Sequence, residues 1–231
     1  MDWSWLPEYA PDLWNGFWLT VKLLLVCSTL GMALAIPIGL VQVTGPKYLA
    51  IPAKAFCTVV RGTPLLIQLW LIYYGIGQLF PLVDGIKDSF FWPILRAAIP
   101  YAVFAFTISV AGYVGEVMRG AFAGVPKGEL EAARAMGMSP FKILYRIWLP
   151  RALQNVFPTL AGEFVLTLKA TPLAATIPMR ELFGEQTVVR QETFLTYEPL
   201  LLVAGVYILL TGVIVVIFNW MEKRIPTPPS L

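Results

Sequence analysis

Histidine is absent from this chain of 231 residues. Its absence excludes histidine as a proton shuttle, as a metal ligand and as the base of a Ser-His or Cys-His nucleophile pair. Charged residues are scarce, at 13% of the chain against roughly 25% in soluble domains, whereas apolar residues make up 58%. The formal net charge of +3 is too small to indicate a nucleic-acid partner. The composition therefore predicts a protein of the lipid bilayer.

Three further features are missing or nearly so. Cys27 and Cys57 are the two cysteines, and because they lie in apolar segments without C-x-x-C spacing, we expect them to be small packing residues. No phosphate-binding loop of the form G-x4-G-K-[ST] occurs, so we expect the chain to have no ATP site of its own. The first 13 residues contain no lysine or arginine. They therefore lack the basic region of a cleavable signal peptide, and we expect the first apolar segment to be retained.

Five segments are apolar and long enough to cross a bilayer as α-helices, which takes ~20 residues. Polar loops separate them and no linker divides the chain, so we expect one integral membrane domain, all-α with five transmembrane helices, over residues 1–231. The sequence Arg61-Gly62-Thr63-Pro64 interrupts the second segment and frees backbone groups that protein or water must satisfy. The expected spans cover residues 15–43, 51–79, 97–117, 156–177 and 199–220.

Lysine and arginine divide unevenly between the two sides that five spans create. With the N-terminus outside, ten of them fall inside and four outside. The positive-inside rule therefore predicts an outer N-terminus, a cytoplasmic C-terminus and a cytoplasmic loop at 119–151. The ten inner residues are Lys47, Lys54, Arg119, Lys127, Arg134, Lys142, Arg146, Arg151, Lys223 and Arg224, and the outer four are Lys87, Arg96, Arg180 and Arg190.

The longest polar passage between apolar segments runs over residues 128–150 and indicates two short helices with a corner. Gly137 suits a helix end that needs positive φ, and Ser139 with Pro140 suits the start of the next helix. We expect Pro150 to end that second helix. The small side chains of the first helix permit close approach of another backbone. The passage is thus either a socket for another protein or an amphipathic hairpin resting on the membrane.

Seven residues of this passage stand at the spacing E-A-A, three residues, G, nine residues, I-x-L-P. This pattern resembles the cytoplasmic loop signature of permease subunits of bacterial ABC importers. The phrase RGTPLLIQ at 61–68 is similar to a second-helix phrase of the subfamily for polar amino acids, and with EFVLTLKAT at 163–171 the resemblance spans nearly the whole chain. Within that subfamily, the chain looks most like the permeases for histidine, lysine, arginine and ornithine, or for opines. The seven residues are Glu131, Ala132, Ala133, Gly137, Ile147, Leu149 and Pro150.

The resemblance implies a type I ABC importer permease fold in the bacterial inner membrane, with the loop docking in a groove of a separate ATPase as a coupling helix. That ATPase would be present in two copies and would hold ATP and Mg²⁺, while this chain would bind no cofactor and catalyse no reaction. A second permease and a periplasmic binding protein would complete the complex, which membrane lipid surrounds. The resemblance implies that the second permease is a different homologous chain, with a second copy of this chain as the alternative. The expected docking residues are Glu129, Glu131, Ala132, Ala133, Gly137, Ile147, Leu149 and Pro150.

A polar ridge marks the fourth expected span, where Thr159, Glu163, Thr167 and Thr171 recur every fourth residue. A charged side chain costs about 2.5–3.5 kcal/mol at the bilayer centre on insertion scales, so we expect Glu163 to face the bundle interior or a water-filled path. The alternative role for Glu163 is a structural hydrogen bond or a contact with the partner permease. The alternative for the segment at Arg61 is a simple helix kink without a role in the pathway. The residues predicted to line the substrate pathway are Glu163, Thr167, Arg61 and Thr63.

These features together predict a permease subunit of an ATP-driven importer that moves polar, and in particular basic, amino acids by alternating access. A channel or a secondary amino-acid carrier driven by an ion gradient is the alternative, with Glu116, Glu163 and Lys169 available for proton coupling. An intramembrane hydrolase fits poorly, because the sequence has no paired intramembrane aspartates.

Overall fold

The computed structural model describes residues 3–224, and within that range the chain is helical and contains no strand. This confirms the all-α expectation. The α-helices are α1 Leu6–Thr44, α2 Lys47–Gly62, α3 Leu65–Trp70, α4 Trp92–Leu95, α5 Ala98–Ala123, α6 Lys127–Ala135, α7 Pro140–Ile143, α8 Leu149–Ala170, α9 Leu182–Thr193 and α10 Tyr197–Glu222. Turns of π-helix at Leu71–Ile76 and Leu144–Trp148 and of 3₁₀-helix at Gly77–Leu82, Ile86–Asp88 and Thr171–Thr176 extend or join them.

Four helical segments in the described range are long and apolar enough to cross a membrane. They correspond to the first, third and fifth expected spans and to the later half of the second, whose earlier half belongs to α2. The fourth expected span, over 156–177, falls on α8 and the 3₁₀ turn after it, and its composition does not meet the same criterion. The reason is chemical: α8 carries Arg151, Glu163 and Lys169. The four segments are Leu6–Thr44, Leu65–Leu82, Ala98–Ala123 and Tyr197–Glu222.

Helix α5 is the centre of the bundle, with α1, α2, α3 and α8 packed around it. Its contact with α1 depends on small residues, because a Cβ atom built on Gly39 would lie 2.8 Å from the Arg119 backbone nitrogen. Only a residue without a side chain permits two helices to approach this closely. The sequence of α1 therefore specifies close packing with α5.

The interruption of the second expected span lies where the sequence predicts it. Helix α2 ends at Gly62, Thr63 and Pro64 are extended, and α3 begins at Leu65. The Gln68 amide donates to the carbonyl oxygens of Val60 at 2.8 Å and Thr63 at 3.0 Å. The backbone groups freed by the break thus obtain a side-chain donor from within the same segment.

Both cysteines are buried and form no disulfide, as expected for packing residues. The Cys27 thiol lies 3.7 Å from the Val103 carbonyl oxygen, and the Gln42 amide donates to the Cys57 sulfur at 3.5 Å. Both side chains therefore fill space between α1, α2 and α5.

Helices α6 and α7 pack onto one end of the bundle through apolar side chains. Leu130 and Ala133 of α6 and Ile143 of α7 belong to the same buried cluster as Met118 and Phe122 of α5. The Trp148 indole also donates to the Phe122 carbonyl oxygen at 2.9 Å. These contacts hold the two loop helices rigidly against α5 and α8.

Candidate functional site

The corner between α6 and α7 has the geometry that its sequence predicts. Gly137 adopts φ = 73°. Its N–H donates to the Arg134 carbonyl at 2.9 Å, and the Met138 N–H donates to the Ala133 carbonyl at 3.2 Å. This pair of bonds is the Schellman motif, which ends a helix with a residue in the left-handed region. The Ser139 hydroxyl accepts the Lys142 N–H and so caps α7.

Pro150 does not end the second loop helix, and this prediction is wrong. The chain continues from α7 through the π turn Leu144–Trp148 into α8, with Leu149 in helical conformation at φ = −64° and ψ = −47°. A π turn forms i→i+5 hydrogen bonds and so changes the backbone register just before the proline. The missing proline N–H and its ring are therefore accommodated without a break. One continuous helical rod results.

The expected docking residues divide into an outer and an inner set. Glu131, Ala132, Gly137 and Pro150 are exposed, as are Met136 and Phe141 beside them, at 83% and 77%. The inner set comprises Ala133, which is buried, and Ile147 and Leu149, which are half-buried against the apolar cluster under α6 and α7. Apart from the Glu131 carboxylate, the outer set presents small and apolar groups to solvent, whereas the inner set attaches the loop helices to the bundle.

Glu129 also has a structural partner. Its carboxylate accepts two hydrogen bonds from Arg151, at 2.7 Å from one guanidinium nitrogen and 2.8 Å from another. Both side chains are about one-third exposed, at 30% and 33%, so the bidentate geometry fixes the position of α6 relative to the start of α8 more than it adds stability. A cavity of about 370 Å³ lies beside α6, with Leu130, Glu131 and Arg134 in its wall.

A second cavity, of about 210 Å³, opens between α3, α5 and α8. Glu163 and Thr167 line it from α8, and Ser109 and Tyr113 line it from α5. Within the described residues, the Glu163 carboxylate makes no hydrogen bond and no ion pair, and the Arg61 charge attracts it from a distance. The Thr167 hydroxyl is used internally, since it donates to the Glu163 carbonyl oxygen at 2.8 Å. The expectation that Glu163 faces the bundle interior is therefore met by the geometry.

Arg61 and Thr63 lie near this cavity but are not in its wall. The Arg61 guanidinium carbon is 5.9 Å from the centre of the Tyr113 ring, within cation–π range, and the Tyr113 hydroxyl donates to the Arg61 carbonyl oxygen at 3.4 Å. The Thr63 hydroxyl donates to the Val59 carbonyl at 2.9 Å and accepts from the Gln68 amide at 2.9 Å. Both residues thus build the break between α2 and α3.

Sequence reasoning missed a buried carboxyl at the opposite end of the bundle. Glu181 is 0% exposed and accepts hydrogen bonds from the Gly184 N–H at 2.8 Å and from the Thr20 and Tyr207 hydroxyls at 3.1 Å each. Burial raises its pKa, and these hydrogen bonds oppose the shift. The cluster ties α9 to α1 and α10 across 161 and 26 sequence positions. No local sequence pattern predicts a contact between residues so distant in sequence.

With this geometry in place, comparison with known proteins decides the family. The sequence profile of the family described as "binding-protein-dependent transport system inner membrane component" matches residues 22–226. The chain belongs to this family. It is thus an inner-membrane component of a binding-protein-dependent transport system, and the expected class of ABC importer permease is confirmed.

Several members of the family are similar along most of their length. The octopine transport system permease protein of Rhizobium radiobacter is 35% identical over 218 residues, which cover 92% of this chain and 87% of that protein. The histidine/lysine/arginine/ornithine transport system permease protein of Escherichia coli strain K12 is 34% identical over 226 residues, with coverage of 95% and 94%. The nopaline transport system permease protein of Agrobacterium fabrum is 29% identical, with coverage of 93% and 88%.

Solved structures of the family agree with the fold. The crystal structure of an amino acid ABC transporter with histidines superposes with a TM-score of 0.82 at 28% identity, over 97% of this chain and 99% of that one. An inward-facing structure of the MetNI methionine ABC transporter gives a TM-score of 0.77 at 17% identity, over 98% and 100%, and supports the fold alone. The type I permease fold expected from the sequence is therefore confirmed.

Proposed function

We propose that this permease moves amino acids with basic side chains, or opines, into the cell, in a complex with two copies of an ATPase, a second permease and a periplasmic binding protein. The N-terminus lies outside and the loop helices lie in the cytoplasm. ATP and Mg²⁺ bind to the ATPase, and this chain supplies the pathway. The second permease is a different homologous chain. The observation that carries the proposal is the exposed surface of small and apolar residues on α6 and α7 in a chain of this family.

The loop helices have the shape that a protein partner requires. Ala132 and Gly137 leave the surface of the corner open, and Met136 and Phe141 project from it. Exposed apolar groups of this size, held on a rigid base, favour insertion into a groove of another protein. The membrane-resting hairpin accounts for Phe141 but not for the open surface at Ala132 and Gly137.

The continuous rod from α7 through α8 supports a mechanism for coupling. Glu163 lies 13 residues after Pro150 on the same rod, which is about 20 Å at 1.5 Å per residue. Movement of α7 by the ATPase would therefore displace the wall of the Glu163 cavity directly. Alternating access then follows from rocking of this rod against α5.

The Glu163 cavity favours a cationic substrate. Its carboxylate has no hydrogen-bond or ion-pair partner in residues 3–224 and stands beside the hydroxyl-bearing Ser109 and Tyr113. A half-buried carboxylate that lacks a partner binds an ammonium or guanidinium group favourably. The names of the relatives include octopine, nopaline and the amino acids histidine, lysine, arginine and ornithine.

A proton-coupled carrier has less support, because one of its candidate groups is already committed. Glu116 forms an ion pair with Arg119 at 2.7 Å. Among the described residues that line the Glu163 cavity, Glu163 is the one carboxyl, so no second carboxyl stands beside it to exchange a proton.

Replacing Ala132 with tryptophan tests the docking surface. Because Ala132 is exposed, the change adds bulk outside the fold, so we expect loss of co-purification with the ATPase and an unchanged thermal midpoint for the isolated permease. Ala55→Trp, at another exposed alanine, is the matched control and should retain the ATPase. Full ATPase recovery with Ala132→Trp would contradict docking at α6.

A further inference from the structure

A third cavity, of about 370 Å³, lies at the junction of α1, α2 and α5. Lys47 and Lys54 reach it from α2, and Arg119 reaches it from α5. Lys47 and Lys54 are seven residues apart in one helix and therefore lie on the same face. The cavity thus gathers three cationic side chains at one end of the bundle.

The charge in this cavity is incompletely neutralised. Arg119 pairs with Glu116, which also lines the cavity. Lys47 and Lys54 are exposed and form no ion pair with any residue of the described range. Two positive charges therefore remain for an external anion.

The surroundings of the two lysines are apolar and open. Ile51 lies between them in the cavity wall and is 64% exposed, and Tyr48 beside it is 75% exposed. An amphiphile with an anionic head and an alkyl chain complements this combination better than a soluble anion does, because its chain covers the exposed apolar side chains. The location at the end of the membrane-crossing helix α1 places the cavity at headgroup depth.

We propose that this cavity binds the phosphate headgroup of an anionic phospholipid of the inner leaflet, with its acyl chain along Ile51. The proposal rests on the proposed function for its cytoplasmic location. Lys47 and Lys54 contact the phosphate, and Arg119, already held by Glu116, adds positive potential. The lipid fills the junction of α1, α2 and α5 and thereby holds α2 against the central helix.

Lysine acetylation of the whole transporter in lipid nanodiscs tests the site. Nanodiscs of phosphatidylcholine are compared with nanodiscs containing phosphatidylglycerol, and with phosphatidylcholine nanodiscs in millimolar inorganic phosphate. We expect phosphatidylglycerol to reduce acetylation of Lys47 and Lys54 several-fold, with Lys223 at the end of α10 as the internal control. Equal protection of Lys223, absence of protection, or equal protection by inorganic phosphate would overturn the lipid site.

A variant with Lys47→Gln and Lys54→Gln provides the second readout. Each lysine near an anionic surface strengthens binding about fivefold, so phosphatidylglycerol retained in native mass spectrometry should fall about thirtyfold. The variant with Lys223→Gln and Arg224→Gln removes the same charge at the end of α10 and should retain the lipid. Equal retention by the two variants would contradict the proposal. ATP-driven uptake by the complex in sealed proteoliposomes tests the proposed function separately, because lipid protection in nanodiscs does not depend on transport.

Discussion

Two carboxyl groups of this chain occupy opposite environments. Glu163 lines a cavity and has no hydrogen-bond or ion-pair partner in the described part of the chain. Glu181 is buried completely and accepts hydrogen bonds from three donors. Buried polar groups with full sets of partners build structure, whereas a group left without one is available for a ligand. The contrast leads to a different prediction for each residue.

Glu163→Gln should weaken uptake of arginine and lysine. The change keeps the size of the side chain but removes a charged acceptor, and a hydrogen bond to a charged group contributes about 1.5–3 kcal/mol, or roughly ten- to a hundredfold. Uptake of labelled arginine by cells expressing the complete transporter measures the effect. Glu222→Gln, the same chemical change at an exposed site, is the control. Unchanged uptake at normal expression would exclude the Glu163 contact.

Glu181 should make stability depend on pH. Because burial raises its pKa, the unfolded chain releases this proton at lower pH than the folded chain does. Stability is therefore greatest below the ordinary pKa and falls as pH rises from that value through the raised pKa. Glu181→Gln does not titrate, so the difference in thermal midpoint, variant minus wild type, should increase with pH over that window.

Glu181→Ala separates the hydrogen bonds from the charge. It leaves the Gly184 N–H without its acceptor, at about 1–3 kcal/mol for a buried group left unpaired, whereas the Thr20 hydroxyl keeps the Gly16 carbonyl and the Tyr207 hydroxyl keeps Thr171. The alanine variant should consequently be less stable than the glutamine variant at every pH. Equal thermal midpoints for the two variants, or a difference from wild type that is constant with pH, would show that this cluster is not as the structure has it.

At the scale of secondary-structure elements, local sequence rules explain where the second loop helix begins but not where it ends. A glycine followed by serine and proline predicted the corner at Gly137, and the Schellman bonds and the serine cap confirm it. Pro150 was expected to end the next helix, yet the π turn before it preserves the rod. Ile147 and Trp148 of that turn pack against the core, a tertiary contact that periodicity does not encode.

Gly137→Val should disturb the corner rather than the bundle. Valine has a Cβ branch, and a left-handed conformation costs it at least about 1–2 kcal/mol more than glycine. We expect α6 to shift and ATP hydrolysis by the complex to lose its stimulation by substrate. Gly120→Val is the control, since a Cβ there meets no atom within 4 Å and φ is not positive. Normal stimulation with Gly137→Val would mean that the corner does not transmit the signal.

At the scale of the whole molecule, apolar length predicted most of the helices, but tertiary contacts determine their roles. The sequence identified the segment over 97–117 as a span, while its central position follows from the close approach of α1 at Gly39. The polar helix α8 was identified from its ridge, and the structure places Glu163 of that ridge in a cavity. The Glu181 cluster escaped prediction because its partners are distant in sequence.

The rod of α7 and α8 connects these scales. It begins at the exposed corner beside Gly137 and continues along α8 to the cavity that Glu163 lines. In the proposed mechanism, a force applied at α7 reaches the Glu163 cavity along α8, which contains Pro158. The proposed coupling requires an energy source at the α7 end of the rod.

Transport by the purified complex in sealed proteoliposomes tests this requirement most directly. With binding protein and labelled arginine on one side and ATP with Mg²⁺ on the other, we predict uptake that needs ATP and continues when an uncoupler collapses the proton gradient. Uptake that proceeds without ATP and stops with the uncoupler would contradict ATP-driven import and would establish an ion-coupled carrier instead.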